Sequence, residues 1–142
     1  MSYTYDYPRP MLCVDVIILR RDGNKNQILL IKRGKNPFKD HWALPGGFVE
    51  MQEDLIESAY RELEEETQIT TVNLTQLKTY GKPGRDPRGR TVSVVFGGFL
   101  EDDQKAQAGD DAKEAKWFPI SELPELAFDH QIIVHESLEK LL

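Results

Sequence analysis

The chain contains 142 residues, a length that favours one domain with a full hydrophobic core. Hydrophobic residues make up 39% and charged residues 30%, and the formal net charge of −6 argues against a general nucleic-acid-binding protein. The single cysteine, Cys13, excludes an intrachain disulfide and is typical of a reducing compartment. Neither a signal peptide nor an apolar run of membrane-spanning length is visible. We therefore expect one domain over residues 1–142, a cytoplasmic location, and neither a membrane nor a nucleic acid as partner.

Two strands and one helix are predicted in the first half of the chain. Residues 11–19 are apolar and rich in β-branched side chains, which predicts a central strand. Turn-forming residues at 21–26 lead to a second strand at 27–33, and a glycine-containing turn at 43–49 leads to a helix over 53–67. The apolar stripe of this helix consists of Leu55, Ile56, Ala59, Tyr60 and Leu63.

The second half of the chain alternates between apolar and polar segments. It predicts strands at 74–80, 91–100 and 115–118, and a final helix over 129–142 that follows a turn with Ser121 as N-cap. The glycines of the 91–100 strand indicate a bulge, and residues 101–114 are expected to form an acidic loop. This order of elements predicts an α/β (α+β) fold in which helices pack on the faces of a mixed sheet.

The predicted helix at 53–67 carries a cluster of carboxylates. Glu62, Glu65 and Glu66 are spaced i, i+3 and i+4, which places them on one face, whereas Glu64 points away. Carboxylates this close repel one another unless a cation neutralises them, and hard divalent cations take oxygen ligands together with water and substrate phosphates. The segment therefore predicts a divalent-metal site for phosphate chemistry; the alternative is a solvated helix face.

The segment from Gly47 to Ile69 resembles the signature of the Nudix hydrolases. That signature is Gly, five residues, Glu, seven residues, then Arg-Glu-aliphatic-any-Glu-Glu-any-Gly-aliphatic. The matching positions are Gly47, Glu53, Arg61, Glu62, Leu63, Glu65, Glu66 and Ile69. Gln68 replaces the second glycine, and a left-handed conformation there would cost about 1 kcal/mol. The resemblance extends to residues 42–47 and 116–119 and implies a Nudix-type α/β/α sandwich.

The resemblance also implies a reaction and a set of site residues. Nudix enzymes hydrolyse nucleoside diphosphates linked to another group, with Mg²⁺ or Mn²⁺ as cofactor. The implied metal ligands are the Gly46 carbonyl, Glu62, Glu65 and Glu66. For an additional acidic residue from a late loop we favour Glu114 over Asp110 and Asp111. Glu65 or Glu62 as the catalytic base is the alternative, and a merely solvated acidic loop is another.

A basic loop at 81–90 bears on the substrate, because arginine forks suit phosphate groups. The sequences GRDPRGR within this loop and LAFDH at 126–130 resemble the ADP-ribose pyrophosphatase branch of the family. The expected substrate-binding residues are Arg33, Trp42, Arg85, Arg88 and Arg90. The alternative for the loop is solubilising charge, the alternative for Arg33 is surface charge, and the alternative for Trp42 is core packing.

The expected reaction is hydrolysis of ADP-ribose, a small-molecule nucleotide, to AMP and ribose 5-phosphate. The alternatives are another Nudix substrate (a nucleoside triphosphate, a dinucleoside polyphosphate or a sugar nucleotide) or a non-catalytic ADP-ribose sensor. Intact box carboxylates favour the enzyme, and we expect no DNA-binding domain after Leu142. The arm at residues 1–10 is a candidate interface for a homodimer.

Overall fold

The computed structural model describes residues 2–142 and contains a mixed seven-stranded sheet with two helices. The elements are β1 (Met11–Asp22), β2 (Lys25–Arg33), β3 (Trp42–Ala43), β4 (Gly46–Phe48), α1 (Leu55–Thr67), β5 (Thr75–Tyr80), β6 (Thr91–Phe99), β7 (Ala112–Pro119) and α2 (His130–Leu141). The strand order is β3-β2-β1-β6-β5, with β4 paired to β1 and β7 paired to β2. Only β1 and β6 run parallel. The predicted mixed sheet and fold class are confirmed.

The centre of strand β1 is buried on both faces and is apolar except for Asp15. Val14, Val16 and Ile18 pack in the cluster that contains Ala59 and Leu63 of α1. The alternate side chains, Ile17 and Leu19, pack in a second cluster with Ile133 and Val134 of α2. Each fully buried aliphatic side chain contributes about 1.5–3 kcal/mol, so this one strand joins the two layers of the core.

The sheet splits at one end, because β1 and β2 pair along only part of their length. Strands β1 and β2 pair only from Leu19 and Ile28 toward their connecting turn. Farther back along β1, strand β4 takes the place of β2, and Cys13 pairs with Phe48. Because β1 and β2 separate here, a cavity is left that residues of both strands line.

Helix α1 begins at Leu55 rather than at Glu53, because Asp54 forms a capping box with Glu57. The helix ends at Thr67, and Gln68 adopts a left-handed conformation with φ 63°. The family glycine is therefore replaced by a residue that takes the same backbone shape, and its amide donates to the Glu64 carbonyl at 2.8 Å.

Several predicted boundaries were wrong. The N-cap at Ser121 is not formed, since α2 begins at His130 and the N-cap position belongs to Asp129, whose side chain makes no capping bond. Strand β7 begins at Ala112 and so takes up the end of the predicted acidic loop. The irregularity in β5–β6 pairing lies between Gln76 and Lys78 of β5 and not at the β6 glycines. Within residues 2–142 no helix is long and apolar enough to cross a membrane.

Candidate active site

A cavity opens at the split in the sheet and is lined by two groups of side chains. The acidic cluster consists of Asp15, Glu62, Glu66, Asp110 and Asp111. The arginine–aromatic cluster consists of Arg33, Phe48, Arg85, Arg88 and Phe128. The cavity therefore brings together carboxylates from the predicted metal site and cations from the predicted substrate loop.

Glu62 and Glu66 are buried members of the acidic cluster, as is Asp15. Burial is the main cause that raises the pKa of Glu66 to about 8; the nearby carboxylates of Glu62, Asp15 and Asp110 act in the same direction, whereas a hydrogen bond from the Gly46 amide acts against them. That amide donates to Glu66 Oε1 at 2.7 Å. Burial is also the main cause of the raised pKa of Glu62. Both side chains thus face a cost for carrying charge in the absence of a cation.

The turn at Gly46 and Gly47 lies directly against these carboxylates. A Cβ atom on Gly47 would lie 2.5 Å from Cδ of Glu62, and one on Gly46 would lie 2.2 Å from the Val14 carbonyl oxygen. No side chain fits at either position. The glycines are therefore required by close approach of the backbone to the carboxylates and to β1.

Arg61 ties the helix to the turn. Its Nε donates to Glu53 at 2.6 Å, and its Nη1 lies 2.8 Å from Glu62 and 3.2 Å from Glu65. These hydrogen bonds, that to Glu53 first, raise its pKa. Its Nη2 donates to the carbonyl of Phe48 at 3.1 Å. Glu57, one helical turn before Arg61, is engaged in the helix cap instead.

Glu65 does not line the cavity, although it lies on the same helix. Its contact with Arg61 is more exposed than that of Glu62, with 41% of the Glu65 side chain accessible compared with 12% for Glu62. The structure therefore brings Glu62, Glu66 and Gly46 together at the cavity and leaves Glu65 at its margin. Its role as a ligand or base stays a prediction.

The acidic cluster fits a divalent cation as a partial ligand set. Its donors are carboxylate oxygens, which hard cations prefer, and burial raises the pKa of both Glu62 and Glu66. Among residues 2–142, no three His, Cys, Asp or Glu side chains converge closely enough to enclose a metal ion by themselves. A cation of the Mg²⁺ type keeps several waters and takes further ligands from substrate phosphates.

The late acidic segment contributes Asp110 and not Glu114. The Gly109 amide donates to the Glu66 carbonyl at 3.3 Å, which fixes the segment to the end of α1, and Asp110 and Asp111 then line the cavity. Glu114 instead lies 3.5 Å from Lys32 across the β2–β7 pair.

Glu114 does not line the cavity, for a geometric reason, and its catalytic role stays a prediction. Ile31 and Arg33 line the cavity, whereas Lys32 between them is not among the lining residues. Because successive side chains of a strand point to opposite faces, Glu114 lies with Lys32 on the other face.

The four candidate arginines have different roles. Arg85 is 5% exposed and forks onto Asp129, with Nε–Oδ2 2.9 Å and Nη2–Oδ1 2.8 Å, while its Nη1 donates to Ser93 at 2.8 Å. Arg90 donates to the Gly81 carbonyl and does not line the cavity. The structure does not support substrate binding by these two residues. Arg85 is already bound to Asp129 and Ser93, and Arg90 lies outside the cavity lining.

Arg33 and Arg88 both line the cavity close to Phe128. Their guanidinium carbons lie 5.0 Å and 5.4 Å from the centroid of the Phe128 ring, and Arg88 also lies 4.9 Å from that of Phe48. Burial, followed by repulsion from Arg88, lowers the pKa of Arg33. The Nε and Nη2 atoms of Arg88 donate hydrogen bonds to the carboxylate of Asp86. Two cations and two rings thus form a surface suited to an anionic, planar ligand.

Trp42 packs in the core rather than in the cavity. Its ring meets Phe118 edge-on with centroids 4.8 Å apart, and it lies against the core cluster of α2. Trp42 is not among the residues that line the cavity, so its substrate-binding role stays a prediction without structural support. Phe128, which does line the cavity, has φ 52°, and Asp110 also has φ 52°. Such left-handed residues with bulky side chains are concentrated at functional sites.

Sequence reasoning missed Asp15, Phe128 and His130 as cavity residues. One pattern could have revealed Asp15, because it is the only charged residue in the apolar run at 11–19. The LAFDH segment contains the other two, but their proximity to β1 and β2 depends on how the chain folds over more than 90 residues.

A model of the NUDIX domain matches residues 9–138 of this sequence. The chain belongs to the NUDIX domain family. Its signature, quoted above from Gly47 to Ile69, thus identified the family correctly. Asp15, Glu62, Glu66, Asp110 and Asp111 are accordingly among the carboxylates that line the cavity of this Nudix domain.

Two protein relatives are similar over most of this Nudix domain. The ADP-ribose pyrophosphatase of Methanocaldococcus jannaschii is 47% identical over 137 residues, covering 93% of this chain and 75% of that protein. The ADPR responsive transcriptional repressor NtrR of Acinetobacter baylyi is 36% identical over 140 residues. That match covers 96% of this chain, which spans only 56% of the repressor.

Solved structures show the same fold. The NUDIX domain of Shewanella oneidensis NrtR, in complex with ADP ribose, has a TM-score of 0.89 and 31% identity, covering 97% of this chain and 94% of that chain. A MutT/nudix family protein from Enterococcus faecalis has a TM-score of 0.90 and 32% identity, covering 99% of this chain and 65% of that chain. The α/β/α sandwich implied by the signature is confirmed.

Proposed function

We propose that this protein hydrolyses the pyrophosphate bond of ADP-ribose to give AMP and ribose 5-phosphate, with Mg²⁺ or Mn²⁺ as cofactor. The observation that carries the proposal is the pair of buried carboxylates, Glu62 and Glu66, in a cavity that also holds Arg33, Arg88 and Phe128. In the reaction, water attacks one phosphorus, the bond from that phosphorus to the bridging oxygen breaks, and the bridging oxygen leaves with the other phosphate.

Glu62, Glu66 and the Gly46 carbonyl would hold the cation, with Glu65 as a further ligand at the margin. A divalent cation bound there would polarise the phosphoryl oxygens and lower the pKa of a water molecule. Arg61 keeps Glu62 in place through the 2.8 Å contact, and the Gly46 amide keeps Glu66 in place through the 2.7 Å hydrogen bond. Held in this way, the carboxylates are oriented before any ligand arrives.

Asp110 is the residue we propose as general base in place of Glu114. It lines the cavity and is close enough to Glu62 and Glu66 to raise the pKa of both. A base in this position can accept the proton of the attacking water as the new bond to phosphorus forms. Glu62 and Glu65 stay the alternatives within the helix.

Arg33 and Arg88 are proposed to bind the phosphates, and Phe48 and Phe128 to pack against the nucleoside. The Nη1 atom of Arg88 is the nitrogen that Asp86 does not occupy, and the Nη atoms of Arg33 are those not used by the hydrogen bond from Nε to the Pro37 carbonyl. Both guanidiniums can therefore add hydrogen bonds to phosphate oxygens without breaking the bonds they already make.

The ADP-ribose pyrophosphatase relative supports this substrate, at 47% identity over most of both chains. A second candidate function, ADP-ribose sensing without turnover, is supported by the similarity to the NtrR repressor and to the ADP-ribose complex of the NrtR NUDIX domain. The intact carboxylates Glu62, Glu65 and Glu66 favour the enzyme, because a sensor has no need of a metal-binding group.

The test is product analysis on a panel of ADP-ribose, NADH, dinucleoside polyphosphates, sugar nucleotides and nucleoside triphosphates. Each is incubated with the wild-type protein, with and without Mg²⁺, beside Glu66→Gln as a control for contaminating hydrolases. We expect Mg²⁺-dependent release of AMP and ribose 5-phosphate chiefly from ADP-ribose. Faster turnover of another compound would overturn the substrate assignment, and tight ADP-ribose binding without turnover would favour the sensor.

A further inference from the structure

Asp15 is a buried carboxylate at the floor of the cavity. Its side chain is 9% exposed, and it lies in the middle of the otherwise apolar centre of β1. The functions proposed above for the signature helix and for the arginine–aromatic cluster do not use it. Burying a carboxylate is costly unless it is paired and hydrogen-bonded.

The histidine next to Asp15 does not neutralise it. The Leu44 amide donates to Nδ1 of His130 at 3.0 Å, so the proton of the neutral ring lies on Nε2. Nε2 is 3.5 Å from Asp15 Oδ1, beyond the usual range of an N–H···O hydrogen bond. Burial lowers the pKa of His130, which favours the neutral ring.

The arginine next to this floor is also committed elsewhere. Arg85 forks onto both oxygens of Asp129 and gives its Nη1 to Ser93. Its charge is therefore balanced by Asp129. Asp15 is left as an acceptor that faces the cavity, and a carboxylate accepts two or more hydrogen bonds through its two oxygens.

The position of Asp15 indicates which part of a nucleotide would reach it. Asp15 pairs with Gly46 between β1 and β4, and the Gly46 amide donates to Glu66 at 2.7 Å. A Cβ atom on Gly46 would lie 2.6 Å from Asp15 Oδ1. Asp15 is thus a direct neighbour of the carboxylates proposed to act at the phosphates. In a nucleoside diphosphate derivative the group bonded directly to phosphate is a sugar, and the base lies one sugar farther away.

We infer that Asp15 binds the hydroxyl groups of a ribose that is bonded directly to the pyrophosphate, and that it thereby determines specificity for ribose. The identity of the substrate rests on the proposed function. A vicinal diol supplies two O–H donors to the two oxygens of Asp15. The neutral ring of His130, with Nε2 3.5 Å from Oδ1, leaves both oxygens of Asp15 able to accept from that diol.

The experiment compares Asp15→Asn with Asp22→Asn, the same substitution at an exposed position of β1. Asp15→Ala serves as a second variant that removes both oxygens. For ADP-ribose we expect KM to rise about 10- to 100-fold in the Asp15 variants, as for loss of hydrogen bonds to a charged group. We expect kcat to change less than about threefold and Asp22→Asn to match the wild type. The midpoint of thermal unfolding of Asp15→Asn should equal or exceed that of the wild type, because the substitution removes a poorly paired buried charge.

Two analogues of ADP-ribose identify the sugar, one lacking the 2′-hydroxyl of the adenosine ribose and one lacking the corresponding hydroxyl of the terminal ribose. The wild type should discriminate against one of them about tenfold or more, and Asp15→Asn should lose that discrimination. Equal use of both analogues by the wild type would overturn the inference. So would a lower unfolding midpoint with unchanged KM, or a loss of kcat that excess Mg²⁺ restores, since these would indicate a structural role or a metal ligand.

Failure of the proposed function is distinguishable from failure of this inference. If another panel member is the substrate, the same comparison is made with that compound and its 2′-deoxy form, such as ATP and 2′-deoxy-ATP. If no compound is turned over, calorimetric binding of ADP-ribose to wild type and Asp15→Asn replaces KM. An Asp15 variant that binds or discriminates like the wild type contradicts the inference in every case.

Discussion

The acidic cluster and the arginine–aromatic cluster of the cavity satisfy their charges in different ways. Arg85 and Arg88 each hold an acid of their own, Asp129 and Asp86, within 3 Å. Glu66 has a backbone amide as its partner and a pKa raised to about 8, with burial as the main cause. Arg85 and Arg88 are thus paired with carboxylates, and Glu62 is paired with Arg61, whereas Glu66 accepts from a neutral backbone amide.

This difference predicts that substitutions in the two clusters have different effects. Substitution in the acidic cluster should remove chemistry and leave the fold intact or more stable, because it relieves repulsion. Substitution in the arginine–aromatic cluster should weaken binding where the guanidinium faces the cavity and destabilise the fold where it is buried. The five predictions below test that comparison, from the largest expected effect to the smallest.

Glu66→Gln should lower kcat by about 10³-fold or more, which exceeds the 10- to 100-fold typical of residues that only support a metal ligand. Far-ultraviolet circular dichroism should be unchanged, because the amide keeps the shape of the side chain. Glu64→Gln, on the exposed face of α1, is the matched control and should retain full activity. Near-normal turnover by Glu66→Gln with Mg²⁺ would show that Glu66 is not a metal ligand.

Arg85→Ala should destabilise the protein by about 3–5 kcal/mol, because it leaves Asp129 partly buried without its partner. The midpoint of thermal unfolding should fall by about 10 °C or more. Arg90→Ala, which removes an exposed guanidinium from the same loop, should change stability by no more than about 0.5 kcal/mol. A stable Arg85→Ala protein with a raised KM would restore Arg85 as a substrate ligand.

Asp110→Asn should lower kcat by about 10²-fold, the lower range of general-base contributions. Glu114→Gln, from the same acidic segment but outside the cavity lining, should have little effect. Steady-state kinetics of the two variants at saturating Mg²⁺ separates the two residues. The reverse result would return the base to Glu114 and contradict the orientation of β7.

Arg88→Ala should raise KM for ADP-ribose about tenfold with little change in kcat, because a contact to a phosphate present before and after the transition state is uniform binding. The midpoint of thermal unfolding should also fall, because Asp86, whose side chain is 4% exposed, loses the guanidinium that donates to it. If kcat falls and KM stays constant, Arg88 acts in the chemical step, and the separation between the two clusters is incomplete.

The stability of the metal-free protein should decrease between about pH 4.5 and pH 8 because of Glu66. Its pKa is raised in the folded protein to about 8 from 4.5, so the neutral form contributes stability that is complete below pH 4.5 and lost as the pH rises through 8. Glu66→Gln should lack this contribution. The measurement is the difference in unfolding midpoint between the two proteins in EDTA, which should favour the variant by a few degrees at pH 8.5 and approach zero or reverse near pH 5.

The sequence predicted those parts of the site that depend on local periodicity. The spacing of Glu62 and Glu66 on one helix, and of the glycines just before it, places them together whatever the rest of the chain does. The partners of Arg85 and Asp15 could not be predicted, because Asp129 and His130 join them only through the packing of α2 against the sheet. No local pattern encodes that packing.

Strand register explains the positions of Glu114 and Trp42, which the sequence did not reveal. Whether Glu114 faces the cavity depends on its pairing with Lys32, and a shift of one residue would reverse it. The turn of Trp42 into the core likewise depends on the pairing of β3 with β2. Both residues have ordinary sequence neighbours, so their orientation follows from the tertiary structure alone.

The most direct measurement is a crystal structure with Mn²⁺ and an ADP-ribose analogue whose bridging oxygen is replaced by methylene. We predict an anomalous manganese peak about 2.1–2.2 Å from oxygens of Glu62 and Glu66, with phosphate oxygens on Arg33 or Arg88. Manganese bound away from both glutamates, or phosphates held by Arg85 or Arg90, would contradict the assignment of the two clusters.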